Sequence, residues 1–146
     1  MLSKEFEKSL LAVVKELNDN GIQFVLIASA NSALQGVNVK PKDIDIVVKY
    51  EDVDKALSCL AHFFIEEIHS PEQYVLHLGV FGVDVEIRGN KNPNSPHMKA
   101  LNAKKETKLN GEKIFILQLE KSIEFYEGIG KHEKAKEIQE FLNKKK

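Results

Sequence analysis

Residues 24–48 read FVLIASANSALQGVNVKPKDIDIVV, and two apolar runs separated by a small-residue turn in this stretch decide the fold. The first run, Ile22 to Ile27, is short, apolar and β-branched, which predicts a buried strand. Ser29 follows as the expected N-cap of a short helix ending at Gly36. The second run, Ile44 to Val48, predicts a second strand. On the N-terminal side, Leu2, Phe6, Leu10, Val13, Val14 and Leu17 recur at helical spacing, and Asn20-Gly21 supplies the stop. On the C-terminal side, Asp52 is placed to cap a helix with the apolar stripe Val53, Ala56, Leu57, Leu60, Ala61 and Phe64.

Beyond that helix, Tyr74 to Val80 and Val83 to Ile87 read as antiparallel strands joined by a tight Phe81-Gly82 turn. Residues 89–96 (GNKNPNSP) are turn-rich and predict an exposed loop. Asn110-Gly111, between Thr107 and Ile116, is a strong hairpin signal. Helices follow around Leu119 to Glu127 and His132 to Leu142, parted by Gly128 and Gly130. This order predicts an α/β (α+β) chain with a mixed sheet flanked by helices, ending in a hairpin and two helices, over one domain spanning 1–146.

Composition agrees. With 146 residues, 42% of them hydrophobic, the chain suits one domain with a real core, which excludes disorder and fibrous classes. The one cysteine, Cys59, has no internal partner and lies in a helical apolar pattern, so inert packing in a reducing cytoplasm is expected. No apolar run approaches the roughly 20 residues that cross a bilayer. Met1 to Lys15 mixes Glu and Lys among its leucines, unlike the apolar segment of a signal peptide.

Net charge is −1 but uneven, −4 over residues 1–103 and +3 over 104–146. The basic C-terminal third suits either a solvated helix with a frayed Lys144-Lys145-Lys146 end or a surface facing polyphosphate or nucleic acid. Arg88 is the only arginine, which disfavours a dedicated nucleic-acid reader.

The chemistry concentrates in Lys42-Asp43-Ile44-Asp45. On a strand, Asp43 and Asp45 point to one face roughly 6–7 Å apart. Carboxylates so placed repel, and one takes up a proton unless a cation intervenes. A hard divalent ion such as Mg²⁺ removes that cost, whereas two aspartates at a solvated strand edge would need none. Upstream, the Ala28-Ser29 turn offers free amides and a hydroxyl at a helix start, suited to an anion. Downstream, Val83-Asp84-Val85-Glu86-Ile87 again sets carboxylates on one face of an apolar strand. Asp43, Asp45 and Asp84 around a phosphate-binding turn are parts suited to two-metal phosphoryl chemistry.

Other patterns carry less. Gly128-Ile129-Gly130-Lys131 lacks Walker spacing and reads as a turn between helices. The five histidines show no metal-ligand spacing, and His77 reads as a partly exposed strand residue. Phe63-Phe64 and Phe125-Tyr126 read as core or interface rather than base-stacking platforms.

The run FVLIASANSALQGVNVKPKDIDIVV resembles the DNA polymerase β-like nucleotidyltransferase superfamily, in particular its minimal stand-alone prokaryotic members. These carry a strand, a small-residue turn opening a helix, and then an Asp-x-Asp strand. VDVEI resembles the later strand bearing their third carboxylate. Residues 108–142 resemble the hairpin and paired helices of small antibiotic-nucleotidyltransferase-like proteins.

The resemblance implies transfer of a nucleoside monophosphate from an NTP to an acceptor that is a small molecule, a protein or RNA. It implies Asp43 and Asp45 as ligands of Mg²⁺ (or Mn²⁺), and Asp84 as third catalytic carboxylate and proton acceptor, with Glu86 as the alternative. It also implies Ala28, Ser29, Lys40 and Lys42 at the phosphates, ATP among the candidate donors, and a possible homodimer. Three positions depart from the family pattern. Ala28 stands where relatives carry a glycine, Val39 near their arginine, and Tyr126 where a helical lysine is common, with Lys40, Lys42 and Lys131 as substitute charges. The alternative they imply is a catalytically impaired binding protein, either a nucleotide sensor or a toxin–antitoxin-type partner.

Overall fold

Strand formation follows the apolar runs, and the computed structural model describes residues 2–145. Among these residues seven strands form one mixed sheet, ordered β3-β4-β5-β2-β1-β7-β6 and flanked by six α-helices. β1 (Phe24–Ile27) and β2 (Asp43–Val48) pair antiparallel, joined through α2 (Ala28–Leu34). β5 (Val83–Asn90) runs parallel to β2 and antiparallel to β4 (Gln73–Val80), whose other neighbour is the edge strand β3 (Phe64–His69). On the far side, the hairpin of β6 (Lys105–Leu109) and β7 (Glu112–Ile116) joins β1 through a parallel β7 pairing.

Alternation along the strands builds two cores. Phe24, Leu26, Ile44, Ile46 and Val48 face α1 (Lys4–Asp19) and α3 (Val53–Cys59). Val25, Ile27 and Val47 face the other way, under α4 (Pro96–Asn102), α5 (Leu119–Gly128) and α6 (His132–Lys144). Because both faces are covered, all four residues of β1 are buried. A buried polar knot ties the layers. Asn31 of α2 donates to the Leu117 carbonyl (2.8 Å) and the Ser122 hydroxyl (3.1 Å), and accepts from the Leu117 amide (3.1 Å) and Gln35 (2.9 Å). At Gly89 an added Cβ would lie 2.7 Å from the Tyr50 Cα, so only glycine lets the 50–52 turn rest on β5.

Several expectations need correction. Ser29 is not the helix cap: α2 begins at Ala28, after Ile27, with no side-chain capping bond. Asp52 likewise precedes α3 without a side-chain bond to it. Phe64 and Ala61 leave the helical stripe. Ala61 lies in a 3₁₀ turn, and Phe64, 40% exposed, opens β3, a strand the sequence reading did not contain. The 89–96 loop shrinks at both ends, since β5 runs on to buried Asn90 and Ser95 caps α4, accepting from the Met98 amide at 3.2 Å.

Other features match the reading. Phe81 (φ 51) and Gly82 (φ 82) turn β4 into β5, and Asn110 (φ 50) and Gly111 (φ 80) turn β6 into β7. Ile129 to Lys131 make the turn between α5 and α6, with Gly128 the last residue of α5. Cys59 is half-buried, its thiol donating to the Ala56 carbonyl and pushed up in pKa by burial. Lys144 closes α6 and Lys145 caps it, while Lys146 and Met1 lie outside the described residues. No helix among the described residues is long and apolar enough to cross a membrane.

Candidate active site

Where β1 gives way to α2, the chain turns sharply and Ala28 adopts φ 62, a left-handed conformation that a glycine would take without strain. This turn forms one wall of a cleft of about 660 Å³. The floor comes from the parallel pair β2 and β5, in which Asp43 stands in register with Asp84 and Asp45 with Glu86. All four carboxyl-bearing residues therefore share one face of the sheet. Asp43, Asp45 and Glu86 line the cleft, but Asp84, one step further out on β5, is exposed and does not.

The crowding has an electrostatic signature. Burial, then the charges of Asp43 and Glu86, push the Asp45 carboxyl up from 3.8 to about 7. A hydrogen bond that Asp45 gives Asp43 only when protonated adds to the rise, and Arg88 opposes it. Near neutral pH this aspartate is thus as much acid as carboxylate. Glu86 is engaged elsewhere. Its carboxylate is ion-paired with Arg88, whose other guanidinium nitrogen donates to the Gln73 side chain. Among the described residues, accordingly, no three His, Cys, Asp or Glu side chains stand close enough together to hold a metal ion as they lie.

Cations surround this floor. Lys40 and Lys42 come from the segment before β2, Lys131 and Lys134 from the start of α6, and Arg88 from β5. Five positive side chains thus face three carboxyl groups, a balance that favours a polyanionic occupant. Val39, Phe125, Tyr126, Ile129 and His97 supply the less polar walls. Burial pushes the Tyr126 phenol up to about 12. Burial and, after it, Arg88 push His97 down to about 4, so its ring is neutral at pH 7.

Of the sequence-derived candidates, Ala28, Ser29, Lys40, Lys42, Asp43, Asp45 and Glu86 are thus brought to one cleft and Asp84 is not. His77 stands opposite Glu86 on β4, half-buried and outside the lining. Arg88, His97 and Lys134 were missed. An arginine two residues beyond Glu86 shares its face, and that spacing was the available signal for Arg88. His97 and Lys134 arrive through tertiary packing and carry no local signal.

A mixed sheet presenting an Asp-x-Asp strand beside a small-residue turn is the arrangement that the resemblance to nucleotidyltransferases implies, and comparison with solved structures agrees. A Thermotoga maritima protein assigned to the nucleotidyltransferases is similar over 99% of this chain and 96% of its own, at TM-score 0.74 and 24% identity. A lincosamide antibiotic adenylyltransferase with lincomycin bound matches at TM-score 0.64 and 15% identity, over 94% of this chain and 97% of that one. The ANT(2'')-Ia enzyme, in complex with adenylyl-2''-tobramycin, matches at TM-score 0.60 and 11% identity, over 88% and 86%. A search of curated protein sequences finds no significant match. The aminoglycoside-2''-adenylyltransferase family model matches residues 9–141, and the chain belongs to that family of nucleotidyltransferases.

Proposed function

We propose that the chain transfers an adenylyl group from ATP to a hydroxyl of a small, antibiotic-like acceptor, with a divalent cation such as Mg²⁺ (or Mn²⁺) as cofactor. The observation that carries this reading is the cleft floor, where Asp43, Asp45 and Glu86 share one sheet face among five cationic side chains, the Asp45 carboxyl being pushed up to about 7 by burial and by its two acidic neighbours. The donor set fits the ion, being hard carboxylate oxygens whose repulsion a divalent cation relieves. Asp43 and Asp45 would hold it, and Glu86, once free of Arg88, would serve as third carboxylate in place of the exposed Asp84. When bound, the ion supplies charge that orients and neutralises the triphosphate.

The remaining work falls to the protein. Lys40, Lys42, Lys131 and Lys134 bind phosphate oxygens, and the amides after Ala28 and the Ser29 hydroxyl add donors at the turn. Glu86 takes the proton of the acceptor hydroxyl as its oxygen bonds to the α-phosphorus and the bond to the β-phosphate oxygen breaks, releasing pyrophosphate. A cleft of about 660 Å³ matches the usual size of small-molecule sites, which favours a drug-sized acceptor over RNA or a protein. The names of the family and of the antibiotic-modifying neighbours support the same acceptor class.

The test is pyrophosphate release from ATP with Mg²⁺ against a panel of aminoglycosides and lincosamides. Activity with at least one acceptor, lost in Asp43→Asn and Asp45→Asn, is the expected result. ATP binding without turnover across the panel would instead favour the sensor reading, for which the specific observations are Ala28 at φ 62 and Glu86 held by Arg88.

A further inference from the structure

We propose that Arg88 is a positioning residue that couples nucleotide to metal: it holds Glu86 out of the Asp43–Asp45 site until nucleotide phosphates draw it away. The inference rests on the metal-site reading given above and extends it to the order in which the site assembles.

The geometry sets up a competition. Glu86 and Arg88 are two apart on β5 and project from the same face. In register across the strand pair, Glu86 meets Asp45 while Arg88 meets Val47, so β2 offers the guanidinium no counter-ion. Its charged partner is Glu86, with Gln73 of β4 steadying the second nitrogen. The pair is neither sealed nor free in water, with the two side chains 26% and 25% exposed. Both line the cleft that Lys40, Lys42, Lys131 and Lys134 make attractive to phosphate.

A guanidinium carries five donors in a fork that fits carboxylate and phosphate alike. Moving from Glu86 to a phosphate therefore exchanges one charge-assisted contact for another. Glu86, level with Asp45 across the strand pair, is then no longer neutralised by Arg88 and brings its full charge to bear beside Asp43 and Asp45. A divalent ion relieves that crowding. Phosphate binding thereby raises ion affinity, and by linkage ion binding raises nucleotide affinity by the same factor.

Binding of Mn²⁺ alone, followed by the loss of its free-ion resonance, tests this on the intact chain in wild type, Arg88→Met, Glu86→Gln and the double variant. Arg88→Met is expected to bind Mn²⁺ about five- to tenfold more tightly than wild type. The gain disappears when Glu86→Gln is also present, because the effect runs through that carboxylate. In EDTA, a fluorescent ATP analogue is expected to bind Glu86→Gln about five- to tenfold more tightly, since Arg88 is then free for phosphate, and Arg88→Met more weakly. Misfolding cannot produce either gain. Unchanged Mn²⁺ affinity in Arg88→Met overturns the coupling, as does a gain that persists in the double variant, which reports only a deleted charge. Absence of Mn²⁺ binding in both wild type and Arg88→Met, with Asp45→Asn no different, overturns the metal site itself and the coupling with it.

Discussion

Asp45 of β2 stands in parallel register with Glu86 of β5, so neighbouring strands bring two acidic side chains to the same level of one sheet face. Unlike charges set side by side, like charges need a third group to tolerate their proximity. Here Arg88 takes Glu86, and a proton takes Asp45.

That proton has a consequence for stability. The Asp45 carboxyl rises from 3.8 to about 7 in the folded chain, chiefly through burial. The folded state therefore binds the proton more tightly than the unfolded one, and the associated stability is complete below about pH 4 and lost as pH rises through 7. In metal-free protein, Asp45→Asn is expected to flatten the fall of Tm between pH 4 and 8. Mn²⁺ added at pH 8 should restore Tm in wild type and leave the variant unmoved. Thermal scans across pH with and without the ion check both; a wild-type profile identical to that of Asp45→Asn refutes the account.

Ala28 sits at φ 62 on the turn beside the carboxylates. A side chain in this region costs roughly 1–2 kcal/mol, and a glycine there gives back about 0.4–1 kcal/mol through its freedom in the unfolded chain. Ala28→Gly is expected to stabilise the protein by about 0.5–1 kcal/mol. Ala28→Val, β-branched, should cost more than it gains anywhere. Urea denaturation at unchanged m-value measures both.

The buried Asn31 knot makes a third prediction. Its side-chain oxygen accepts from the Leu117 amide, and its nitrogen donates to the Leu117 carbonyl and to Ser122. In Asn31→Leu, Gln35 still reaches the Leu117 carbonyl, but the amide is left without a partner in the core. The expected loss is about 2–3 kcal/mol. Because the knot anchors the start of α5, which carries Phe125 and Tyr126 to the cleft, weaker binding of a fluorescent ATP analogue should accompany it.

The sequence made legible whatever was written in local pattern. Phe81-Gly82 and Asn110-Gly111 announce their turns because positive φ is demanded on the spot. Asp43 and Asp45 could be put on one face from spacing alone. β3 was not legible. Its six residues, Phe64 to His69, are all exposed, so no buried side marks a strand, and Phe64 extends the stripe of α3 by coincidence of period. α4 was legible in principle, since Ser95 followed by Pro96 is a cap with proline at the first position, but the surrounding Asn and Pro masked it. The choice between Asp84 and Glu86 depends on where the cleft falls along the β2–β5 pair, and no residue in either strand encodes that position.

Lys131 and Lys134 separate the nucleotide reading from a nucleic-acid one. Both line the cleft at the start of α6, while Lys144 closes the far end of that helix, twelve residues and roughly 18 Å along it. If the basic C-terminal third serves a triphosphate, its charge matters at the cleft end. Lys131→Met with Lys134→Met should then weaken binding of a fluorescent ATP analogue about tenfold, with the remaining affinity less sensitive to salt. Mn²⁺ affinity should hold, since neither lysine touches Asp43 or Asp45 through a salt bridge. Removing residues 144–146 should leave ATP binding untouched. A nucleic-acid role expects the opposite pattern, with salt-sensitive retention on RNA or DNA lost on that truncation and spared by the cleft substitutions. Fluorescence titration with the ATP analogue and retention on immobilised RNA, run on both variants at two salt concentrations, distinguish the two.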